Sequence, residues 1–295
     1  MHPKYTLSFI VGGSSGIGLA LAQQLAISGT KVCIFARNEQ LLAEAKSTII
    51  SKAKNAQACE YYPVDASDYD ALKKSFELAL SAHGTPDLVI NCAGRSIPDY
   101  FLNITATQMQ QTFQSNFQTA WNACHILIPY LKTNGATIVN TSSVGGLISV
   151  FGFTDYSASK FAIIGFSEAL NQEMKKHNIK VQVLCPPDTD TPGFENENKT
   201  KPIETAKISE AAKLLKPETV AAECIKKLGK NQFLIIPGTE SKVSWWLKQH
   251  FPGLVNKMIG NTIQQAHTTK TKKALFTTIL VSVLPSLPFS SQTAN

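Results

Sequence analysis

Short apolar runs alternate along the first 240 positions with longer stretches whose apolar residues recur at helical spacing. The runs are Tyr5–Val11, Lys31–Phe35, Glu60–Val64, Asp87–Asn91, Ala136–Thr141, Lys180–Leu184 and Gln232–Ile236. Their length and their content of Val, Ile, Phe and Tyr predict strands. The amphipathic stretches predict helices over Ile17–Ser28, Gln40–Lys54, Tyr69–His83, Thr107–Lys132, Tyr156–Lys176 and Pro217–Gly229. Near-continuous apolarity suits strands buried on both faces, so the pattern predicts one parallel seven-stranded sheet with helices on both sides. Two regions break the alternation. Asp188–Lys216 is polar and rich in Thr, Glu and Lys, and follows the sixth strand, where an open sheet presents its ligand-binding edge; it predicts a substrate lid with some helical content. From Ser241 onward, Trp245, Trp246, Leu247, Phe251 and Leu254 stand among lysines, and Ala274–Phe289 is uncharged and largely apolar.

With 295 residues, 43% hydrophobic and 17% charged, the chain can bury a sizeable core. A doubly wound α/β domain over residues 1–240, carrying the lid at about 188–216, plus a C-terminal amphipathic and apolar tail over 241–295, accounts for the length. The six cysteines lie scattered, mostly in apolar runs, with no C-x-x-C pair and no Cys/His cluster, which predicts reduced, buried thiols in a cytoplasmic protein rather than a disulfide frame or a metal site. No secretory signal is expected, because Met1–Lys4 lead directly into the first apolar run. The net charge of +7 changes the picture only through its location: six lysines and no acid follow Glu240, so removing those six leaves +1 for the body. That distribution argues against a nucleic-acid partner and for contact of a basic tail with anionic lipid. If helical, the 16 residues Ala274–Phe289 reach only about 24 Å against a hydrocarbon core of about 30 Å, and Pro285 and Pro288 interrupt them. The tail therefore reads either as an interfacial anchor, peripheral on the cytoplasmic face of a membrane, or as a segment folded over the lid or a partner subunit.

Directly after the first run stands Gly12-Gly13-Ser14-Ser15-Gly16-Ile17-Gly18, opening the first helix. Glycines at 12, 16 and 18 form a variant of the dinucleotide fingerprint: a tight turn, close backbone approach to phosphate, and close packing of helix on strand. The second strand ends in Phe35-Ala36-Arg37, with a guanidinium where an NAD site usually places a carboxylate. A ribose 2′-phosphate pairs well with Arg, so Arg37 predicts NADPH/NADP+ as the cofactor. Asp65 is placed to accept from the adenine amine, and Asn91-Cys92-Ala93-Gly94 to let backbone lie beside the adenosine ribose.

Tyr156 and Lys160 stand four residues apart at the start of a helix, so both project from one face. An ammonium beside a phenol favours phenolate, which makes Tyr156 a candidate proton donor to a developing alkoxide. Ser143, at the end of the fifth strand, is the candidate donor to a substrate carbonyl oxygen, with Ser142 ranked second for substrate binding; Asn116 is the candidate holder of a water linking Lys160 to solvent. With these groups in this order and spacing, the chain resembles the short-chain dehydrogenase/reductase family over residues 5–237. The resemblance implies a Rossmann-type fold, hydride transfer between NADP(H) and a carbonyl or alcohol without a metal ion, and cofactor contacts at Pro186, Thr189 and Thr191, the last at the nicotinamide carboxamide. It also implies a homo-oligomer, a dimer or tetramer, paired through the long helices. The run Pro186-Pro187-Asp188-Thr189-Asp190-Thr191-Pro192-Gly193-Phe194 and the segment around Tyr156 resemble the lipid-reducing branch of that family, which implies a long-chain lipid ketone, 3-dehydrosphinganine, as substrate. A reductase of another bulky ketone, such as a steroid, retinoid or acyl chain, and a non-catalytic NADPH sensor stand as alternatives.

Overall fold

The computed structural model describes residues 5–210 and 212–283, with side chains as far as Thr268. Seven strands form one parallel sheet: β1 (Leu7–Val11), β2 (Lys31–Ala36), β3 (Cys59–Pro63), β4 (Leu88–Asn91), β5 (Ala136–Thr141), β6 (Ile179–Leu184) and β7 (Leu234–Ile235), in the order β3-β2-β1-β4-β5-β6-β7. The order reverses between β1 and β4, which puts a ligand crevice at their carboxyl ends. Helices α1 (Gly16–Ile27), α2 (Glu39–Ala53), α3 (Tyr69–His83), α4 (Ala106–Phe113), α5 (Thr119–Leu131) and α6 (Thr154–Met174) alternate with the strands. Two apolar cores result. Ile10, Ile34, Ile90 and Val139 meet Leu21, Leu25 and Leu42 on one face of the sheet. Phe9, Phe35, Val89 and Ile138 meet Phe76 and Leu127 on the other. Successive strand residues thus serve opposite faces, which is why both are apolar.

The single helix expected over Thr107–Lys132 is instead two α-helices joined by a π-turn at Gln114–Gln118. Asn116 sits in that turn, with its side chain spanning the Arg95 backbone: Oδ1 accepts from Arg95 N at 2.7 Å and Nδ2 donates to Arg95 O at 3.1 Å. Those bonds offset the irregular helical geometry, and periodicity carries no trace of them. The last strand is shorter than the run Gln232–Ile236, spanning two residues.

The lid contains α7 (Pro192–Asn198) and α8 (Ile203–Glu210) and is closed at its base by a bridge between Thr189 and Leu215; α9 (Pro217–Ile225) then returns to pack on α1. The first part of the tail folds onto this body. Helices α10 (Thr239–His250) and α11 (Pro252–Val283) pack on each other, α11 lies along α8, and Trp245, Val255 and Ile259 join a core with Leu147, Ile148 and Ile236. Pro285 and Pro288 lie outside the described residues, as do the side chains of Lys270, Lys272, Lys273 and the run from Ala274. Among the described residues no helix is long and apolar enough to cross a membrane.

A buried carboxylate clasps tail to lid. Glu204 of α8 is 1% exposed; it accepts from the Tyr100 hydroxyl at 3.0 Å and faces His267 Nε2 of α11 at 3.2 Å. Replacing it with Ala leaves the Tyr100 hydroxyl without its partner and opens a void. Glu204→Ala is expected to cost about 1–3 kcal/mol and to speed amide exchange in α11 while leaving β1 and β4 protected. Unchanged exchange in α11 would mean that apolar packing alone holds the tail.

Candidate active site

At the crevice, the chain leaves β1 through a turn only glycine can make. Gly12 has φ +82°, and a Cβ there would lie 2.5 Å from the Ala93 nitrogen; a Cβ on Gly18 would strike the Gly12 carbonyl oxygen. Backbone therefore fills the space beneath a cleft of about 630 Å³ that Gly12, Ser14, Ser15, Gly16, Ile17 and Gly18 share with Arg37, Asp65, Ala93, Gly94 and Thr191. Ser15 caps no helical N–H through its side chain, so its hydroxyl and the first amides of α1 remain open toward the cleft. Asp65 holds its own turn, Oδ1 accepting from Ser67 N at 2.9 Å and Ser67 Oγ at 2.7 Å. Thr191 packs against Gly16 and caps α7, its Oγ accepting from Phe194 N at 3.2 Å.

Beyond the cleft, three side chains converge. Tyr156 and Lys160 project from the first turns of α6, the ammonium 5.7 Å from the phenol ring centroid. Lys160 Nζ donates to the Thr141 carbonyl at 3.0 Å and is 4% exposed. Burial lowers its pKa to about 8, against small opposing effects of the Cys92 and Cys185 thiols. Those thiols are themselves pushed by burial to about 11 and about 12, so they stay neutral at pH 7. Burial raises the Tyr156 phenol above its ordinary value, while a hydrogen bond with Ser143 pulls it back. Ser143 Oγ in turn accepts from Gly145 N at 3.0 Å, which fixes its rotamer.

Several residues expected in the site face elsewhere. Ser142 is 2% exposed and donates to the Lys160 carbonyl at 2.8 Å; alternation along extended chain sends its hydroxyl into the α6 interface, so it anchors the helix and does not line the cavity. The Asn91 side chain also turns into the core, donating to Asn140 Oδ1 at 2.8 Å, and only the backbone that follows it borders the cleft. Pro186 holds the serine loop instead of the cleft, its carbonyl accepting from Val144 N at 2.9 Å and Ser143 Oγ at 3.5 Å. Thr189 bonds within its own loop, Oγ donating to the Pro187 carbonyl at 2.8 Å. Asn116 Nδ2 donates to the Arg95 carbonyl and, at 2.9 Å, to Ser159 Oγ, and its Oδ1 accepts from Arg95 N, so the amide ties the Arg95 loop to α6.

Sequence reasoning missed Asp155. It is 5% exposed, accepts from the Thr112 hydroxyl at 2.7 Å and from Tyr156 N at 2.8 Å, and so ties the start of α6 to α4. An acid in the first turn of a helix was a visible signal, but its partner lies 43 residues away. The tail was read as a lipid anchor or a segment folded over the lid, but not as a wall of the site. A cavity of about 370 Å³ opens from Ser143 and Tyr156 and is walled by Ile148, Phe153 and Ile208, then by Leu247, Val255, Met258 and Ile259 of the tail helices. Among the described residues no group of His, Cys, Asp and Glu is arranged to hold a metal ion.

A family model of the short chain dehydrogenases matches residues 7–202. The chain belongs to that family. Similar relatives of this short chain dehydrogenase include the 3-ketodihydrosphingosine reductase of Mus musculus, 39% identical over 220 residues, covering 74% of this chain and 66% of the relative. The 3-dehydrosphinganine reductase of Danio rerio is 38% identical over 227 residues, covering 76% and 68%. The chain thus spans about two thirds of the length of the curated relatives it matches. Among solved structures, a short-chain dehydrogenase/reductase from Burkholderia phymatum in complex with NAD superposes with a TM-score of 0.75 at 22% identity, covering 84% of this chain and 94% of that one. Levodione reductase gives 0.73 at 20% identity, covering 80% and 98%. Both show the fold. As an oxidoreductase of this family the protein uses a nicotinamide dinucleotide, and the glycine cradle, whose close backbone packing leaves no room for a Cβ at 12 or 18, fits one.

Proposed function

We propose that the protein reduces the ketone of 3-dehydrosphinganine to sphinganine with NADPH. The observation that carries the reading is the apolar cavity, which starts at the Tyr156 and Ser143 hydroxyls and runs between the lid and the tail helices, as a long acyl chain next to a reacting carbonyl requires. The names of the relatives point the same way. The cofactor would lie with its phosphates at the start of α1 and at Ser14 and Ser15, its adenine near Asp65, a 2′-phosphate at Arg37, and its adenosine ribose along Ala93 and Gly94. Its far end would reach Thr191, Tyr156 and Lys160. When bound, the reduced nicotinamide supplies a hydride to the substrate.

The protein's own groups do the rest. Tyr156 gives its proton to the carbonyl oxygen as negative charge develops there, and Ser143 donates a hydrogen bond to the same oxygen. Lys160 compensates the phenolate left behind, while Asp155 and Asn116 hold the start of α6 and the Arg95 loop in register. The apolar cavity wall keeps bulk water from the reacting atoms. Purified protein should oxidise NADPH on addition of 3-dehydrosphinganine, and NADH far more slowly; brisk turnover of a steroid ketone with none of the sphingoid would reject the substrate.

A pH dependence follows from Lys160. Its pKa of about 8 leaves it mostly charged at pH 7 and mostly neutral at pH 9. The charge that favours phenolate is lost as pH rises, so kcat/KM for NADPH is expected to fall above about pH 8, since that parameter reports the free enzyme's groups. A profile flat to pH 9.5 would remove Lys160 from that role.

The same reading places the protein at a lipid surface, peripheral on the cytoplasmic face. Trp246 on α10, Phe251 at the junction, and Leu254 and Met258 on α11 are about half exposed, with Lys242, Lys248 and Lys257 beside them in the chain. Exposed Met109, Trp121, Tyr130 and Phe161 on the long helices support a homo-oligomer. Flotation on phosphatidylserine liposomes should weaken when Trp246, Phe251 and Leu254 are all changed to Ser; equal flotation would reject the surface.

A further inference from the structure

The cavity is apolar along most of its length, yet its catalytic end carries two carboxylates. Asp188 and Glu197 both line it, and both lie close enough to Tyr156 for their charges to oppose ionisation of the phenol. The two are not equivalent. Glu197 forms an ion pair with Lys201 at 2.9 Å, the side chains 13% and 3% exposed, and the same ammonium lies 4.5 Å from the Phe194 ring centroid. Its charge is compensated within the lid. Among the described residues the half-buried Asp188 carboxylate has neither hydrogen bond nor ion pair; only the Asp188 backbone carbonyl is engaged, accepting from Leu215 N at 3.0 Å. A carboxylate in partly desolvated surroundings without a partner costs free energy, and a cationic ligand removes that cost. That bond is one half of the Thr189–Leu215 bridge, whose other half is Asp190 N donating to the Leu215 carbonyl at 2.8 Å, so the backbone that carries Asp188 is pinned.

The substrate read above bears an amine on the carbon next to the ketone. With the ketone oxygen at the Tyr156 and Ser143 hydroxyls, that amine falls a few ångströms away, at the acidic end of the cavity. We propose that Asp188 is a specificity-determining residue, pairing with an ammonium group on the carbon adjacent to the reacting carbonyl. The assignment rests on the sphingoid reading and deepens it: the long apolar wall accepts the chain, and Asp188 selects the 2-amino head group by a charge-assisted hydrogen bond. An ammonium held there also draws electron density from the neighbouring carbonyl, which favours hydride acceptance.

The test is kcat/KM with NADPH for a matched pair of ketones, 3-dehydrosphinganine and 1-hydroxyoctadecan-3-one, which is the same chain without the amine. Wild type should favour the amine by about 30-fold or more, equivalent to about 2 kcal/mol. Asp188→Asn keeps the shape and the backbone bond; it should lose about 30-fold on the amino ketone, chiefly through KM, and change by less than about 3-fold on the other. An equal loss on both ketones makes Asp188 a structural residue of its loop and overturns the assignment. Wild-type protein that reduces both ketones equally also overturns it, while leaving the reductase reading in place. Protein that reduces neither, yet turns over a steroid ketone, sinks the reading and the assignment together.

Discussion

Tyr156→Phe is expected to lower kcat by about 10³-fold or more while leaving NADPH affinity within about 3-fold, measured by stopped-flow NADPH oxidation and by fluorescence titration. The change removes one oxygen. It leaves the ring in contact with Phe153 and Lys160, and it leaves the backbone bond from Tyr156 N to Asp155 at 2.8 Å, so the helix start and the cofactor cleft should persist. What disappears is the one phenolic hydroxyl that, among the described residues, lines the cavity beside Ser143. No replacement is at hand. Lys160 is turned toward the Thr141 carbonyl, and the Cys185 thiol is pushed up to about 12 by burial. Near-normal turnover in this variant would remove Tyr156 as the acid. A parallel loss of NADPH binding would make it a cofactor residue instead.

Gly18→Ala should abolish NADPH binding at concentrations about 100-fold above the wild-type Kd and lower stability by about 1–3 kcal/mol. The added methyl meets the Gly12 carbonyl, a backbone atom that cannot rotate away, and the Cys92 Cβ 3.3 Å off. Relief requires α1 to lift from β1, which moves the amides that would meet the phosphates. Gly165→Ala is the control. It lies inside α6 with nothing within 4 Å of the new Cβ, and it should be neutral or stabilising by about 0.5–1 kcal/mol. If both variants bind NADPH normally, close packing at residue 18 does not shape the cleft.

Particular residues mark the limits of what could be read before the fold was known. Tyr156 and Lys160 were legible because four residues along a helix fix two side chains on one face, whatever the helix packs against. Gly12 and Gly18 were legible because their constraint is local to one turn. Strand alternation sends Ser142 and Ser143 to opposite sides of the chain, but the anchoring of Ser142 on the Lys160 carbonyl depends on α6 crossing the end of β5. The backbone from Asn91 to Gly94 was expected beside the ribose; the Asn91 side chain itself points into the core, where its Nδ2 donates to Oδ1 of Asn140, its neighbour across the sheet. Nothing in either strand's pattern announces that pair.

Local chemistry along the chain was sufficient to determine the alternation of strand and helix, the parallel sheet, the glycine cradle and the spacing of the catalytic pair. Each of these depends on backbone periodicity or on contacts between near neighbours. Tertiary structure alone decided that the Ser142 hydroxyl anchors α6, that Asn116 binds the Arg95 loop, and that α10 and α11 complete the cavity. It also left Asp188 unpartnered while Glu197 took Lys201. The physical reason is the same in each case. Side-chain direction at a strand end, and the occupant of an apolar face, are set by segments brought together from distant parts of the chain, so the packing of the whole molecule chooses them.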